Sequence, residues 1–345
     1  LTQLVQLATE RPEAAPTPET GPLIDQYSRV HSDLRISVTD RCNIRCFYCM
    51  PEEGGAFAPN SQLIGFVQLV RAAKIGMGLG IRKIRLTGGE PLLRARLADL
   101  ISQLSALPLN DLALTTNGLL LAQQAKELQQ AGLRRLNIHL DSLDRERFHR
   151  IARRDELGRV LAGIDAATAL GFDFKLNAVA VKHLSEPDLV PLVRFARERG
   201  VEIRFIEFMP LDGQSLWDGA QVLTADEMID ILEAEFGPLR PIDDPDPRAP
   251  ATEYEFSDGS RVGFIASVSR PFCQNCNRLR LTSDGKLRNC LFAREETDIR
   301  HALQSGSDEE LEYLFRTTIW KKWAGHQIGQ PAFEAPQRPM YSIGG

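Results

Sequence analysis

Two hydrophobic periods alternate from residue 34 to residue 208. Apolar and polar residues alternate singly over 34–39, 81–87, 112–116, 136–140, 174–181 and 201–208, which predicts six strands. Between them, apolar residues recur every third or fourth place over 63–79, 92–107, 119–131, 144–151, 157–170 and 187–199, which predicts helices. Gly80, Gly132 and Gly200 supply helix stops. Strands alternating with helices predict βα units and a parallel sheet. The segments after the strands are polar or rich in glycine, and parallel α/β sheets and barrels keep their active sites at those carboxyl ends. The periodicity fits an open doubly wound sheet and a partial barrel equally well.

After Met209-Pro210 the pattern changes. A helix is predicted over 224–236, with Thr224 and Glu227 as a capping box, followed by a loop rich in Pro and Asp over 243–250. Two hairpins are predicted, 253–256 with 261–268 around Asp258-Gly259, and 279–282 with 286–291 around Asp284-Gly285. A last helix over 309–323 precedes a loose tail. The predicted organisation is an arm at 1–22, an α/β domain at 23–239, a smaller domain at 240–328, and a tail at 329–345.

At 345 residues, with 43% apolar and 25% charged, the chain can bury a sizeable core. A net charge near −5 argues against nucleic-acid or membrane-surface partners, and no apolar run reaches bilayer length. The arm carries Glu10, Glu13, Glu19 and four prolines, unlike a signal or transit peptide, and is expected to be disordered and dispensable. Residue 1 is Leu, so the numbering is expected not to begin at the native start.

Six cysteines form two trios, 42/46/49 and 273/276/290. A large chain with few cysteines and no export signal points to a reducing compartment and to metal ligation rather than disulfides. Three thiolates on one loop can hold three corners of an iron–sulfur cube. The fourth iron then stays open, as a catalytic metal keeps a vacant position. Zinc is the alternative, but it wants four ligands, and no Cys or His follows Cys49 within twenty residues. For the second trio, His301 is the nearest histidine that could complete a zinc site; otherwise a second cube could bind a substrate nitrogen.

Gly88-Gly89-Glu90-Pro91 reads either as a turn or as a strand end that lets a ligand approach, with Glu90 available to an ammonium. Seven cations, Arg35, Lys83, Arg85, Lys175, Arg204, Arg278 and Arg280, lie in or beside predicted strands. Strands covered on both faces should be apolar, and unpaired buried charge is costly. Glu90, Asp141, Glu202 and Glu207 can neutralise two or three of them. The rest point to a polyphosphate, whose oxygens suit arginine forks.

The first trio with Tyr48 resembles the signature of the radical S-adenosylmethionine (SAM) enzymes. Lys83–Pro91, Thr115–Gly118, Lys175–Asn177, Arg204–Met209, Cys273–Phe292 and the terminal Ile343-Gly-Gly resemble the branch of that superfamily that serves molybdenum cofactor biosynthesis. The resemblance spans residues 34–345. It implies a partial (β/α)6 TIM-like barrel with a smaller second-cluster domain, and two [4Fe-4S] clusters on the two trios. It implies SAM contacts at Tyr48, Gly88, Gly89, Glu90 and Met209. His139 stands where the family usually has a serine that meets SAM; it either fills that place or is a satisfied core histidine. GTP would meet Arg35, Lys83, Arg85, Thr116, Lys175, Arg278, Leu279 and Arg280, with Arg204, Arg278 and Arg280 serving catalysis. The tail would reach into the active site.

The implied reaction is a lyase-type radical cyclisation of GTP to 3′,8-cyclo-7,8-dihydro-GTP. A deoxyadenosyl radical takes hydrogen from ribose C3′, the carbon radical attacks guanine C8, and an electron and a proton complete the product. Implied partners are an electron donor such as flavodoxin or ferredoxin, and cyclic pyranopterin monophosphate synthase as acceptor of the product. A cytoplasmic homodimer is expected. The rival expectations are a radical SAM enzyme acting on a peptide and a zinc-stabilised module without catalysis.

Overall fold

The structure is a computed structural model, described here over residues 16–242, 246–331 and 333–344. Six strands, β1 (Asp33–Ser37), β2 (Lys83–Thr87), β3 (Asp111–Thr116), β4 (Arg135–His139), β5 (Asp173–Ala180) and β6 (Glu202–Glu207), pair in parallel in chain order. The helices between them are α1 (Phe66–Gly78), α2 (Leu97–Ser105), α3 (Leu121–Gln130), α4 (Arg145–Ala152), α5 (Leu157–Ala169) and α6 (Glu186–Glu198). The result is a partial (β/α)6 barrel. Every strand and helix expected here is present, with its ends shifted by a few residues in one direction or the other. The helix expected over 92–107 is divided. A 3-10 turn at Pro91–Leu93 is capped by the Glu90 side chain, and Arg96, at φ 59°, breaks the chain before α2.

The rest of the chain forms α7 (Ala225–Phe236), β7 (Arg240–Pro241), β8 (Thr252–Glu255), β9 (Arg261–Ile265), β10 (Arg278–Leu281), β11 (Lys286–Arg288), β12 (Thr297–Asp298), α8 (Arg300–Ser305), α9 (Asp308–Trp320) and α10 (Met340–Ile343). The capping box at Thr224 and Glu227 is formed. Both hairpins form, but each joins the barrel sheet. β9 pairs in parallel with β6, and β10 pairs in parallel with β1. The twelve strands therefore run β12-β11-β10-β1-β2-β3-β4-β5-β6-β9-β8-β7. This covers the two edges that an open six-stranded sheet would leave exposed.

The parallel pairing of β1 with β10 sets the two cysteine trios at opposite ends of the sheet: the first follows the carboxyl end of β1, whereas Cys273 and Cys276 precede the amino end of β10 and Cys290 follows antiparallel β11. It also aligns charge. Leu34, Ile36, Ile84, Leu86, Leu279 and Leu281 are buried to 1% exposure or less, on the face toward the helices. Each such side chain contributes about 1.5–3 kcal/mol. The alternate residues face inward, and the register sets Arg280, Arg35 and Arg85 in one row across β10, β1 and β2. Leu279, expected among the GTP contacts, thus has its side chain in the core.

Of the arm, residues 1–15 lie outside the described residues, and 16–22 lead into fully buried Leu23, whose N–H donates to the Leu79 carbonyl at 2.9 Å. Within the described residues no helix is long and apolar enough to cross a membrane.

Candidate active site

Inside the barrel lies a cavity of about 300 Å³ that runs from the carboxyl ends of the strands to the amino end of β10 and is lined by all six cysteines. None of them is in a disulfide. Among the described residues, the one His/Cys/Asp/Glu group with donor atoms all within 4.8 Å is Cys46, His139 and Asp141. Neither trio is therefore drawn in to the ~3.8 Å sulfur spacing that a tetrahedral zinc with ~2.3 Å bonds requires. His301, the expected zinc partner, is exposed on α8. The donor set fits two iron–sulfur clusters facing one cavity.

The first trio sits on the loop after β1, and the end of β2 holds it in place. Gly89 N–H and Glu90 N–H donate to the carbonyls of Thr39 and Arg41, each at 2.7 Å. A Cβ on Gly88 would lie 2.5 Å from the Thr39 carbonyl oxygen, and one on Gly89 would lie 2.5 Å from that of Arg41. The glycines thus allow the cysteine loop itself to approach. Burial pushes the Cys42 thiol up to about 11, with Glu90 adding to it, and raises Cys46 and Cys49 as well. Tyr48 Oη donates to Asp141 Oδ2 at 2.6 Å and also meets His139 Nε2, which lies 2.8 Å from that same carboxylate oxygen. Burial opposes charge on His139, yet Asp141 outweighs it and raises the imidazole. Tyr48, Gly88, Gly89, His139 and Met209 all line the cavity.

Glu90 does not. Its carboxylate accepts from Leu92 N (3.0 Å), Thr116 Oγ1 (2.8 Å) and Asn117 N (2.7 Å), tying the ends of β2 and β3 together. Burial still pushes it up from 4.5 to about 7. Between these pH values the folded state holds a proton that the unfolded chain has lost. Its stabilising share is complete below about 4.5 and falls as pH rises, by about 3 kcal/mol in all. Glu90→Gln should flatten this dependence in urea unfolding of iron-free protein at pH 5 and 7.5. Equal dependence in both proteins would remove Glu90 as its source.

The seven cations separate into two groups. Lys83 pairs with Asp246 at 2.8 Å. Lys175 pairs with Glu202 (2.5 Å) and Glu253 (3.1 Å), and Arg204 with the same two carboxylates (2.5 and 2.7 Å). Lys83 and Lys175 stand outside the cavity lining, while Arg204 stays in it. Arg35, Arg85, Arg278 and Arg280 line the cavity, and no carboxylate among the described residues lies within ion-pair distance of them. Arg35 Nε and Arg85 Nε are buried without a hydrogen-bond partner. So are Asn137 Nδ2 and Asn177 Oδ1, from β4 and β5, which sequence reasoning missed because a lone amide carries no pattern. Burial lowers Arg35 and Arg85 to about 9 and Arg280 to about 10, and the neighbouring guanidinium adds to it each time: Arg280 for Arg35, Arg35 for Arg85, Arg278 for Arg280. Such a cluster is matched to an anion.

Of the carboxylates expected to neutralise these cations, only Glu202 does. Glu207, fully buried, accepts from the backbone N–H groups of Ala225 (3.0 Å), Val268 (2.7 Å) and Ser269 (2.8 Å) and so fixes the Phe208-Met209 segment.

The tail closes the cavity. Arg280 Nη1 donates to the Gly344 carbonyl. Gly344 has φ +92°, and a Cβ there would lie 2.8 Å from Ser37 Cβ, so only glycine fits. Tyr341 lies against Gly55, where a Cβ would stand 2.1 Å from its hydroxyl, and its ring meets Phe57 edge-on. Gly345 lies outside the described residues.

The profile described as Radical SAM superfamily matches residues 36–196, and that described as Molybdenum Cofactor Synthesis C matches residues 201–328. A protein of Rhodopirellula baltica named GTP 3′,8-cyclase is 47% identical, over 99% of this chain and 98% of its own. One of Mycolicibacterium smegmatis with the same name is 46% identical, over 96% and 94%. Among solved structures, Streptococcus suis SuiB bound to S-adenosylmethionine is similar with a TM-score of 0.59 at 13% identity, over 83% of this chain and 65% of that one. That likeness is one of fold.

Proposed function

The chain belongs to the GTP 3′,8-cyclase family within the radical SAM superfamily, and on that premise we propose how its cavity converts GTP to 3′,8-cyclo-7,8-dihydro-GTP for molybdenum cofactor biosynthesis. The observation that carries the reading is the meeting of two cysteine trios and four arginines without carboxylate partners in one cavity.

Cys42, Cys46 and Cys49 would hold the [4Fe-4S] cluster, and Tyr48, Gly88, Gly89, His139 and Met209, which line the cavity beside them, would hold SAM. Cys273, Cys276 and Cys290 hold a second [4Fe-4S] cluster. Bound together, the first cluster and SAM supply one-electron chemistry able to take a hydrogen from an unactivated carbon. The protein's part is binding and orientation. Arg35, Arg85, Arg278 and Arg280 grip the triphosphate, and Thr116 borders the same space. Lys83, Lys175 and Arg204, with their carboxylates, brace the amino-terminal side of their strands, and Glu90 braces the carboxyl ends of β2 and β3. Held this way, ribose C3′ would face the first trio and the guanine the second, and such positioning is the protein's means of lowering the barrier. The electron comes from a donor such as flavodoxin or ferredoxin, and the product passes to cyclic pyranopterin monophosphate synthase. The proposal sets the protein in a reducing, cytoplasmic compartment, where cysteines stay available as metal ligands, with a homodimer as the working unit.

Arg85→Ala or Arg278→Ala should weaken GTP binding by about 1.5–3 kcal/mol, the range for charge-assisted hydrogen bonds, or roughly tenfold to a hundredfold. SAM affinity should not move, and Lys83→Ala, whose charge already has Asp246, should cost less. Calorimetry showing unchanged GTP affinity in both arginine variants would overturn the phosphate assignment.

A further inference from the structure

Behind the second trio, outside the cavity, lies a buried charged cluster that the reaction scheme does not use. Lys322 follows α9 and is 3% exposed. Its Nζ lies 3.2 Å from Cys276 Sγ, 3.0 Å from His31 Nε2 and 2.9 Å from the Arg278 carbonyl oxygen. An ammonium has three N–H donors and no acceptor. Here each donor has one acceptor, so the site is saturated by the charged form. No carboxylate among the described residues pairs with Lys322. A lysine buried without a countercharge is costly, and the anion it touches is the Cys276 sulfur.

Its surroundings hold it there. Asp25 and Arg29 form a buried ion pair (2.6 Å), with Asp25 Oδ2 3.7 Å from His31 Nε2. The Arg29 guanidinium donates to the carbonyls of Cys273 (2.7 Å), Ala324 (2.7 Å) and Trp323 (2.5 Å). It therefore ties the trio to the segment that carries Lys322. Because Asp25 and Arg29 cancel, the net charge of the cluster is that of Lys322. The first trio has a different environment. Its thiols have Glu90 and Asp141 as anionic neighbours and Arg45 as a cationic one, with Glu90 outweighing Arg45 at Cys42, and the side-chain donor on Cys42 is the neutral amide of Asn117, 3.7 Å away.

We propose that Lys322 is a fixed countercharge for the second iron–sulfur cluster, donating to Cys276 so as to raise that cluster's reduction potential, with Asp25, Arg29 and His31 holding it in position. This rests on the second-cluster reading given above. A cluster gains negative charge on reduction, and a cation hydrogen-bonded to a ligand sulfur in a low-dielectric interior stabilises the reduced form more than the oxidised one. Lys322 thereby makes the second cluster easier to reduce than the same cluster without that charge.

The test is a redox titration followed by electron paramagnetic resonance. It uses the full chain carrying Cys46→Ser, so that one cluster reports, with Lys322 intact or replaced by Met, Gln or Arg. Lys322→Met should move the midpoint to a more negative potential. Lys322→Gln, which keeps N–H donors without charge, should move it less, and Lys322→Arg should leave it near the parent value. If Lys322→Met does not fold, the Gln and Arg variants carry the comparison. About four irons per chain with the same midpoint in the neutral variants and the parent would overturn the role of Lys322. No iron on the Cys46→Ser parent would instead overturn the second-cluster reading.

Discussion

Cys46→Ser should abolish the reductive cleavage of SAM and leave the proposed second cluster in place. Cys46 is buried between Asp141 and the other two thiols of its loop, and burial pushes its thiol well up. A group so placed is worth deprotonating only when a metal takes the resulting charge. Serine keeps the size but offers a poor ligand, so the cluster that presents SAM with an electron is lost. The second trio hangs from β10 and its flanks and shares no ligand with the first. Cys276→Ser should do the converse, sparing some SAM cleavage while removing cyclisation. Deoxyadenosine from the Cys46 variant at the parental rate would sink the assignment of the first trio.

Deleting Gly344 and Gly345 should leave iron content and melting temperature unchanged and abolish GTP cyclisation. A chain end rich in glycine is ordinarily frayed and dispensable. This one is folded in. Residues 341–343 are buried, Tyr341 is packed on Gly55, and the Gly344 carbonyl is the acceptor for Arg280, the guanidinium that also aligns with Arg35 and Arg85. Without it, Arg280 swings free in a row of like charges, and the triphosphate grip loses its geometry while the core stays whole. A free peptide with the C-terminal sequence should restore part of the activity. Gly344→Val should resemble the deletion, because the φ of +92° and the 2.8 Å approach to Ser37 leave no room for a side chain. Turnover at the full-length rate in the deletion would reduce the tail to packing.

The six parallel βα units were legible because burial is one-sided along strands such as β1 and β2, whereas the choice of a barrel over an open sheet came with the family resemblance. Leu34 and Ile36, or Ile84 and Leu86, must face the helices, so Arg35 and Arg85 must face inward whatever their neighbours are. What the sequence concealed depends on segments far apart. The alternation of Leu279 and Leu281 is the same against any neighbouring strand, so nothing in it marks β1 as the partner. The partners of Lys83, Lys175 and Arg204 include Asp246 and Glu253, supplied from beyond the barrel region. Glu90 and Glu207 read as countercharges for the strand cations, yet they serve as anchors for backbone N–H groups, and those groups follow no side-chain pattern. Lys322, within Trp320-Lys-Lys-Trp323, has the appearance of a surface residue until α9 is laid against the second trio.

The most direct test of the account is anaerobic incubation of the iron-loaded protein with SAM, a reductant and GTP carrying deuterium at ribose C3′. The account predicts about eight irons per chain, with deuterium transferred into 5′-deoxyadenosine. A cyclised nucleotide triphosphate should form in equal amount, one atomic mass unit lighter than the labelled GTP, because a solvent proton replaces the deuterium lost. Deoxyadenosine free of deuterium, with GTP unconsumed, would contradict it.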